Sequence, residues 1–415
     1  MPVPPKILVN LGASFLTTRT ARRLRKGSHD LQAQERHYAA LVAAQSATAF
    51  GRENGIEKNI PLSRFAKRVP LRTHDAFAPW IGRMQAGEAD VLWPGRCNFF
   101  ANSSGTTDSQ PKLLPVTAEM LAHFRKAGLD SLLYYTARIG HTGVFQGKHL
   151  FLGGSTSLTP LPAAADGHVA YTGDLGGITA LNLPGWVEKH IYEPGADIAL
   201  MSDWPAKIAA IVQRTLRRDI TLLAGMPGWV ILLAEALLKT AAGDKVRPVN
   251  LQSLWPNLEC LVHGGVPIGP FAQELRTLCG PKVNFHEVYT AVEGFIAAQD
   301  SDSARGLRLM SDAGLYFEFL PMEDFDETRL DQLGHKAVPL SGVRAGIDYA
   351  LVLTTPAGLC RCVIGDIVRF VSTDIPRLVY AGRTRLRLDA CGEHVIEKEL
   401  TDSLSAVCQR HQWKI

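Results

Sequence analysis

The residues from Ser103 to Lys112 read Ser-Ser-Gly-Thr-Thr-Asp-Ser-Gln-Pro-Lys, a run of small side chains and hydroxyls closed by a lysine. A backbone with so little bulk can close round an anion. Its hydroxyls and amides can donate to phosphate oxygens, and the lysine supplies countercharge. The Gly-Lys-Ser/Thr ending of a Walker loop is absent, and an ordinary polar turn has a similar composition. A second segment, Tyr289-Thr290-Ala291-Val292-Glu293-Gly294, sets a carboxylate just past an expected strand. There it could hold a magnesium ion that bridges phosphates, or it could be a solvated turn glutamate. The third segment, Gly358-Leu359-Cys360-Arg361-Cys362-Val363-Ile364-Gly365-Asp366, places a carboxylate after a glycine at a strand bend. Asp366 could accept hydrogen bonds from both hydroxyls of a ribose, or it could cap a turn.

The elements that must position these groups are legible in outline. Leu31 to Phe50 reads as an amphipathic helix, with Leu31, Tyr38, Leu41, Val42 and Ala49 near helical spacing, Gln45 weakening the pattern, and Gly51 as its breaker. Pro70, Pro79, Gly82 and Gly87 divide Val69 to Trp93 into short pieces. A strand from Cys97 to Ala101 runs into the Ser/Gly/Thr loop, and Thr117 caps the helix that follows. Phe151 to Pro184 resolves only as loop and strand. Asp203 and Pro205 open a helix through about Leu216, and Gly225-Met226-Pro227-Gly228 turns into the apolar helix Trp229 to Leu238. Strand-like runs follow at Leu258 to Val262, Val283 to Tyr289, Leu315 to Leu320, Ala350 to Thr354 and Ile367 to Val371. Helices alternating with buried strands define an α/β chain of layered sheets covered by helices.

Composition narrows the function classes. With 46% hydrophobic and 20% charged residues, the chain can bury a large core. A net charge of +4, from 44 basic and 40 acidic residues, is too even to make nucleic acid the main partner. Arg19, Arg22, Arg23, Arg25 and Lys26 form the densest basic run and read as a solvated helix face. No apolar stretch is long enough to span a bilayer. Ile7 to Leu16 is interrupted by Asn10 and Ser14, with no small-residue cleavage site after it. We therefore expect a soluble, cytoplasmic protein with no membrane partner. Seven scattered cysteines make no disulfide framework, and Cys360 and Cys362 lack a second pair for zinc. His286-Glu287 lacks the second histidine of a zinc-protease helix, and no Gly-x-Ser-x-Gly elbow is present.

Taken in order, the three segments resemble the motifs of the adenylate-forming superfamily: a Ser/Thr/Gly phosphate loop, an aromatic-to-glutamate motif and a Gly-Asp ribose motif. The chain is most similar to the Gretchen Hagen family of acyl-acid amido synthetases, the auxin- and jasmonate-conjugating enzymes of plants and their bacterial relatives. Further shared stretches span nearly the whole chain: Thr48-Ala49-Phe50-Gly51, Val69-Pro70-Leu71, Arg83-Met84-Gln85-Ala86-Gly87-Glu88, Pro115, Gly264-Gly265-Val266-Pro267, Tyr316-Phe317-Glu318-Phe319 and Gly382-Arg383-Thr384. The resemblance implies a large multilayer adenylation domain, helix-covered β-sheets plus a small distorted barrel, over residues 1–380. Residues 381–415 would be a hinge and the beginning of a truncated C-terminal lid. Such a chain would bind nucleotide but turn over poorly alone.

The same resemblance assigns roles. Ser103, Ser104, Gly105, Thr106, Thr107 and Lys112 would surround the ATP phosphates. Gly264, Gly265 and Val266, with Tyr289 and Thr290, would form the floor under adenine and acyl-adenylate. Glu293 would organise Mg2+, Asp366 would hold the ribose, Tyr316 would flank the adenine, and Arg383 would touch the nucleotide. The reaction implied is ATP-dependent activation of a small carboxylic acid, then transfer to an amine such as an amino acid. Thioester formation with coenzyme A and a non-catalytic nucleotide- or acid-binding module are the alternatives. The helix after the phosphate loop and the Gly225 to Trp229 turn are where the family builds its acyl pocket. Trp229, Tyr134 and Tyr135 are aromatic candidates for that pocket, or else core residues. An aryl or indolyl acid fits them better than a fatty acid. The chain departs from the family where cysteines, Cys360 and Cys362, replace aromatics around the ribose motif, and where Tyr289 is followed by Thr290 rather than glycine.

Overall fold

The computed structural model describes residues 5–25, 28–103, 112–164, 166–242, 248–385, 387–390, 393–396, 403–404, 407 and 410. Its centre is a single mixed sheet of twelve strands with two unlike halves. In one half, Tyr192–Glu193, Lys148–Phe151, Ile220–Ala224, Cys260–His263 and Asn284–Ala291 lie side by side, all parallel. Their near-continuous apolar runs suit strands covered on both faces. Leu223 and Leu261 pack on one side against the helices Trp204–Thr215, Pro227–Ala241 and Ala272–Cys279. Leu222, Ala224 and Cys260 pack on the other side, with Leu133 and Tyr135 of the long helix Ala118–Ile139 and Ala13 of the helix Lys6–Leu24.

Antiparallel pairing takes over at the Asn284–Ala291 and Gly294–Ala298 hairpin. It continues through Leu307–Leu309, Arg377–Arg383, Cys362–Ser372, Asp348–Thr354, Tyr316–Pro321 and Val338–Pro339. Register shifts at Phe295/Ala297, Ala350/Val352, Ile367/Val368 and Phe370/Ser372 bend these strands. The bent half curls over its own aromatic core of Phe317, Phe319, Tyr349 and Phe370. Where a small distorted barrel was expected, the described strands form this bent, open antiparallel half of the large sheet. A separate sheet contains Lys112–Val116, Phe99–Ser103, Tyr171–Gly173 and Thr159–Pro160 in that order.

Local expectations fare unevenly. Thr117 caps its helix as expected: its hydroxyl accepts from Met120 N at 3.0 Å and donates to Pro356 O at 2.6 Å. The helix expected over Leu31 to Phe50 instead runs Ser28–Gln45, and Thr48 starts a second one, Ala49–Glu53. Gly51 is no breaker. It lies inside the second helix, where a Cβ would come within 1.9 Å of the Gln45 carbonyl oxygen. The first strand is Phe99–Ser103 rather than Cys97 to Ala101, and the Pro227–Ala241 helix uses the proline of the expected turn as its first residue. Asp203 stands at the N-cap position without a capping hydrogen bond. Between Phe151 and Pro184 lies a short helix, Leu175–Leu181, capped by Asp174. The helical stretch expected from Glu397 to Gln409 falls outside the described residues except at isolated positions.

Candidate active site

Asp366 sits inside the strand Cys362–Ser372, immediately after Gly365, whose φ of +88° lets the chain kink there. It is directly opposite Arg383 in the antiparallel ladder. The register brings the two side chains together, and Arg383 Nη1 lies 3.0 Å from Asp366 Oδ1. From the next turn of the sheet, the Tyr289 hydroxyl donates to Asp366 Oδ2 at 2.6 Å. Burial and the adjacent carboxylate raise the Tyr289 pKa well above the ordinary tyrosine value, so the hydroxyl stays a donor. The Tyr289 ring meets Tyr380 edge-on at 5.7 Å. Asp366 is almost fully buried, while about half of the Arg383 side chain faces solvent.

Glu293 occupies the tight connection between Asn284–Ala291 and Gly294–Ala298. The connection closes because residue 294 is glycine; a Cβ there would come 2.5 Å from Leu315. Burial raises the Glu293 pKa to about 7, and Asp366 adds to the rise, while its own backbone N–H, Arg383 and Lys112 oppose it. The electrostatic coupling therefore joins Glu293, Asp366, Arg383 and Lys112 in one neighbourhood. Lys112 opens the strand Lys112–Val116, paired with Ser103 of Phe99–Ser103, so the phosphate-loop segment links two adjacent strand ends. Ser104, Gly105, Thr106 and Thr107 lie outside the described residues, as does the Ser103 side chain. The Lys112 ammonium pairs with Asp75 Oδ1 at 2.8 Å, and this hydrogen bond holds the Asp75 carboxyl below its usual range.

Gly264 and Gly265 follow the strand Cys260–His263. Gly264 is needed because a Cβ would sit 2.4 Å from the Val288 carbonyl oxygen, one residue before Tyr289. Gly265 has φ +84° and lies beside the Met226 sulfur, with Val266 exposed next to it. Thr290 is exposed at the end of its strand. The structure does not bring Tyr316 to the cluster. It is buried under the helix Ser28–Gln45, against Tyr38, Leu41 and Trp93. Tyr134 and Tyr135 are buried core residues, and Trp229 packs on Trp204. His286 is buried, with Nε2 2.9 Å from the Ser131 hydroxyl.

Two groups were missed by the sequence reasoning. Asp75 and Cys362 both face this neighbourhood, since Cys362 feels Glu293, Lys112 and Asp75. Asp75 carried no signal beyond its place beside His74, and Cys362 was marked only as a cysteine standing where the family places an aromatic.

A parallel five-strand half, a bent antiparallel half and a carboxylate-rich cluster beside the paired strands Phe99–Ser103 and Lys112–Val116 define an adenylate-forming fold. Solved structures share that fold. AtGH3.15 acyl acid amido synthetase in complex with 2,4-DB matches with a TM-score of 0.73 and 18% identity, over 95% of this chain and 75% of its own. A 2-hydroxyisobutyryl-CoA ligase in an open conformation matches at 0.58 and 17%, over 90% and 78%. The GH3 family N-terminal domain matches residues 28–284 and the GH3 family central domain residues 308–383, so the chain belongs to the GH3 family. Among curated relatives, the probable indole-3-acetic acid-amido synthetase GH3.2 of Oryza sativa subsp. japonica is 24% identical, over 88% of this chain and 68% of its own. Indole-3-acetic acid-amido synthetase GH3.2 of Arabidopsis thaliana is 25% identical, over 88% and 76%.

Proposed function

We propose that this chain activates a carboxylic acid as its acyl-adenylate with ATP and passes the acyl group to an amine, an amino acid being the first candidate. The observation that carries the reading is the convergence of Lys112, Glu293, Asp366 and Arg383, from four separate segments of the chain, on one neighbourhood. Asp366, aimed by Tyr289 and Arg383, is the acceptor for the ribose hydroxyls. Arg383 and Lys112 are the cations that face the phosphates, where an acid carboxylate and the α-phosphate must approach against their mutual repulsion. The phosphate-loop residues Ser103 to Thr107 are assigned with them. Gly264, Gly265, Val266 and Thr290 provide a floor without bulk.

Magnesium suits this site. Burial and the neighbouring Asp366 raise the cost of ionising Glu293, and a divalent cation would relieve it; Mg2+ commonly binds one or two carboxylates plus substrate phosphates. When bound, it neutralises charge on the phosphates and on the departing pyrophosphate. Glu293 would hold it. The acid is placed near the Met226 turn, and Trp229, exposed in part beside it, favours an aromatic acid. The buried free cysteines and the ATP requirement agree with a cytoplasmic setting; no described helix is long and apolar enough to cross a membrane. Residues 1–380 are assigned as the adenylation domain and 381–415 as the hinge and beginning of the lid.

Calorimetric titration with ATP and AMP, with and without Mg2+, tests this reading. We expect dissociation constants near micromolar, about −8 kcal/mol. Asp366→Ala should weaken both nucleotides at least tenfold, and Glu293→Ala only the Mg2+-dependent ATP complex. Equal binding of both nucleotides by wild type and Asp366→Ala would remove the assignment.

A further inference from the structure

A second concavity lies away from the cluster above. It opens beyond the C-terminal ends of Lys148–Phe151 and Tyr192–Glu193, the edge at which parallel α/β sheets present ligand crevices. Its volume is about 240 Å³, and most of its wall is apolar, including Leu152, Ala180, Leu183 and Pro194. Among the described residues, its lining includes neither the Gly225 to Trp229 turn nor Lys112, Glu293, Asp366 or Arg383.

Two polar groups in this wall are unusual. Lys207 is only 3% exposed, and its ammonium donates to three carbonyls, Gly153 O at 3.2 Å, Gly154 O at 2.8 Å and Ala199 O at 3.2 Å. Carbonyl dipoles satisfy its protons but leave a buried positive charge that no carboxylate contacts among the described residues; Asp174 acts on it only through space. Thr156 is 4% exposed, and its hydroxyl has no hydrogen-bond partner among the described residues. A buried hydroxyl without a described partner and a buried cation in the wall of one cavity call for a ligand that accepts hydrogen bonds and carries negative charge.

The wall is also firmly built. Thr156 N donates to Ala199 O at 2.9 Å, and Gly177 lies so close to the loop that a Cβ would meet the Ser155 carbonyl oxygen at 2.4 Å. Gly154 is as tightly placed, with its virtual Cβ 2.8 Å from the Asp174 carboxyl carbon. The loop therefore cannot easily turn Thr156 away to another acceptor.

We propose that this cavity binds a small monocarboxylate with a short apolar body, its carboxylate accepting from the Thr156 hydroxyl in the field of the Lys207 ammonium. One buried cation matches one negative charge, and the apolar wall matches the body. A dianion such as phosphate would bring more charge than the wall can meet.

Sodium benzoate and its neutral counterpart benzamide are the probes, titrated calorimetrically into the chain and into Thr156→Val, Lys207→Met and Ala180→Leu, with folding checked by circular dichroism. Benzoate should bind at least tenfold more tightly than benzamide. Thr156→Val and Lys207→Met should each weaken benzoate at least tenfold, and Ala180→Leu, which fills the cavity, should abolish binding. Should Lys207→Met not fold, the other two variants still decide the matter. Unchanged benzoate affinity in Ala180→Leu would place the carboxylate elsewhere, in the reaction centre for instance, and overturn the proposal. So would benzamide binding as tightly as benzoate, or no binding of benzoate to the folded wild type.

Discussion

Arg361 uses every N–H of its guanidinium while fully buried. Nε and Nη2 donate to the two Glu318 carboxylate oxygens at 2.9 and 2.8 Å; Nη1 reaches Ala66 O and Val69 O, and Nη2 also reaches Gly334 O. Its φ of +53° is an uncommon conformation for a residue with a side chain, and those five bonds anchor the side chain in place. The residue ties the N-terminal segment to the strand that carries Asp366 five positions later. Glu318→Gln leaves a buried guanidinium without its counter-ion and should cost about 3–5 kcal/mol in chemical denaturation. Arg361→Lys should not recover stability, since an ammonium cannot span these acceptors. A loss under 1 kcal/mol for either would show that the pair is solvated.

At the scale of elements, the close approach of Cys260–His263 and Asn284–Ala291 places the glycine floor against the strand that holds Tyr289. Gly264 marks the narrowest point, because the Val288 carbonyl leaves no room for a methyl group. Gly264→Ala must push the two strand ends apart, at a cost of about 1–3 kcal/mol. Tyr289 is the next residue, so its hydrogen bond to Asp366 should lengthen and AMP affinity should fall several-fold in the same variant. Stability lost with AMP affinity intact would mean that strand spacing does not set the ribose contact. The hairpin that carries Glu293 makes the same point. Its position was legible as a turn after a strand, but its coupling to Asp366 needed the antiparallel half to fold back.

For the whole molecule, the four histidines buried among the described residues set the acid limit. Burial lowers the pKa of His123, His149 and His263 to about 4 and of His286 to about 3. His123 shows the geometry behind this: Nε2 accepts from Phe295 N at 2.8 Å, so Nδ1 carries the proton toward Ala313 O at 2.7 Å, and a second proton would face the amide. Above pH 6.5, folded and unfolded histidines are both neutral and contribute nothing. As pH falls below 6.5 the unfolded chain takes up protons that the folded chain refuses, so stability is lost progressively toward pH 4. The loss is roughly 1 kcal/mol per histidine by pH 5.5. Glu293, whose folded pKa is raised to about 7, gains stability over the same window and offsets part of this loss. Urea unfolding at pH 7.5 and 5.5 should still show a net drop of roughly 2–4 kcal/mol, and a shallower drop in His123→Gln. Equal stability at both pH values would contradict the buried neutral histidines.

The amino-acid sequence by itself determined the class of fold, the order of the three motifs and the identity of the residues that could carry nucleotide chemistry. Those depend on residue type and local spacing: glycine where the chain must kink, apolar runs where strands are buried, a threonine before a helix. It misplaced the end of the second helix because the Thr48 cap competes with a continuous apolar period. The family resemblance put Tyr316 beside the adenine; a tyrosine on a strand has two faces, and only the position of the helix Ser28–Gln45 decides which is covered. Tertiary structure alone decided that Tyr289 reaches Asp366, that Asp75 holds Lys112, and that Lys207 and Thr156 share a cavity. Each depends on pairing between segments far apart in the chain, which spacing along the sequence does not encode.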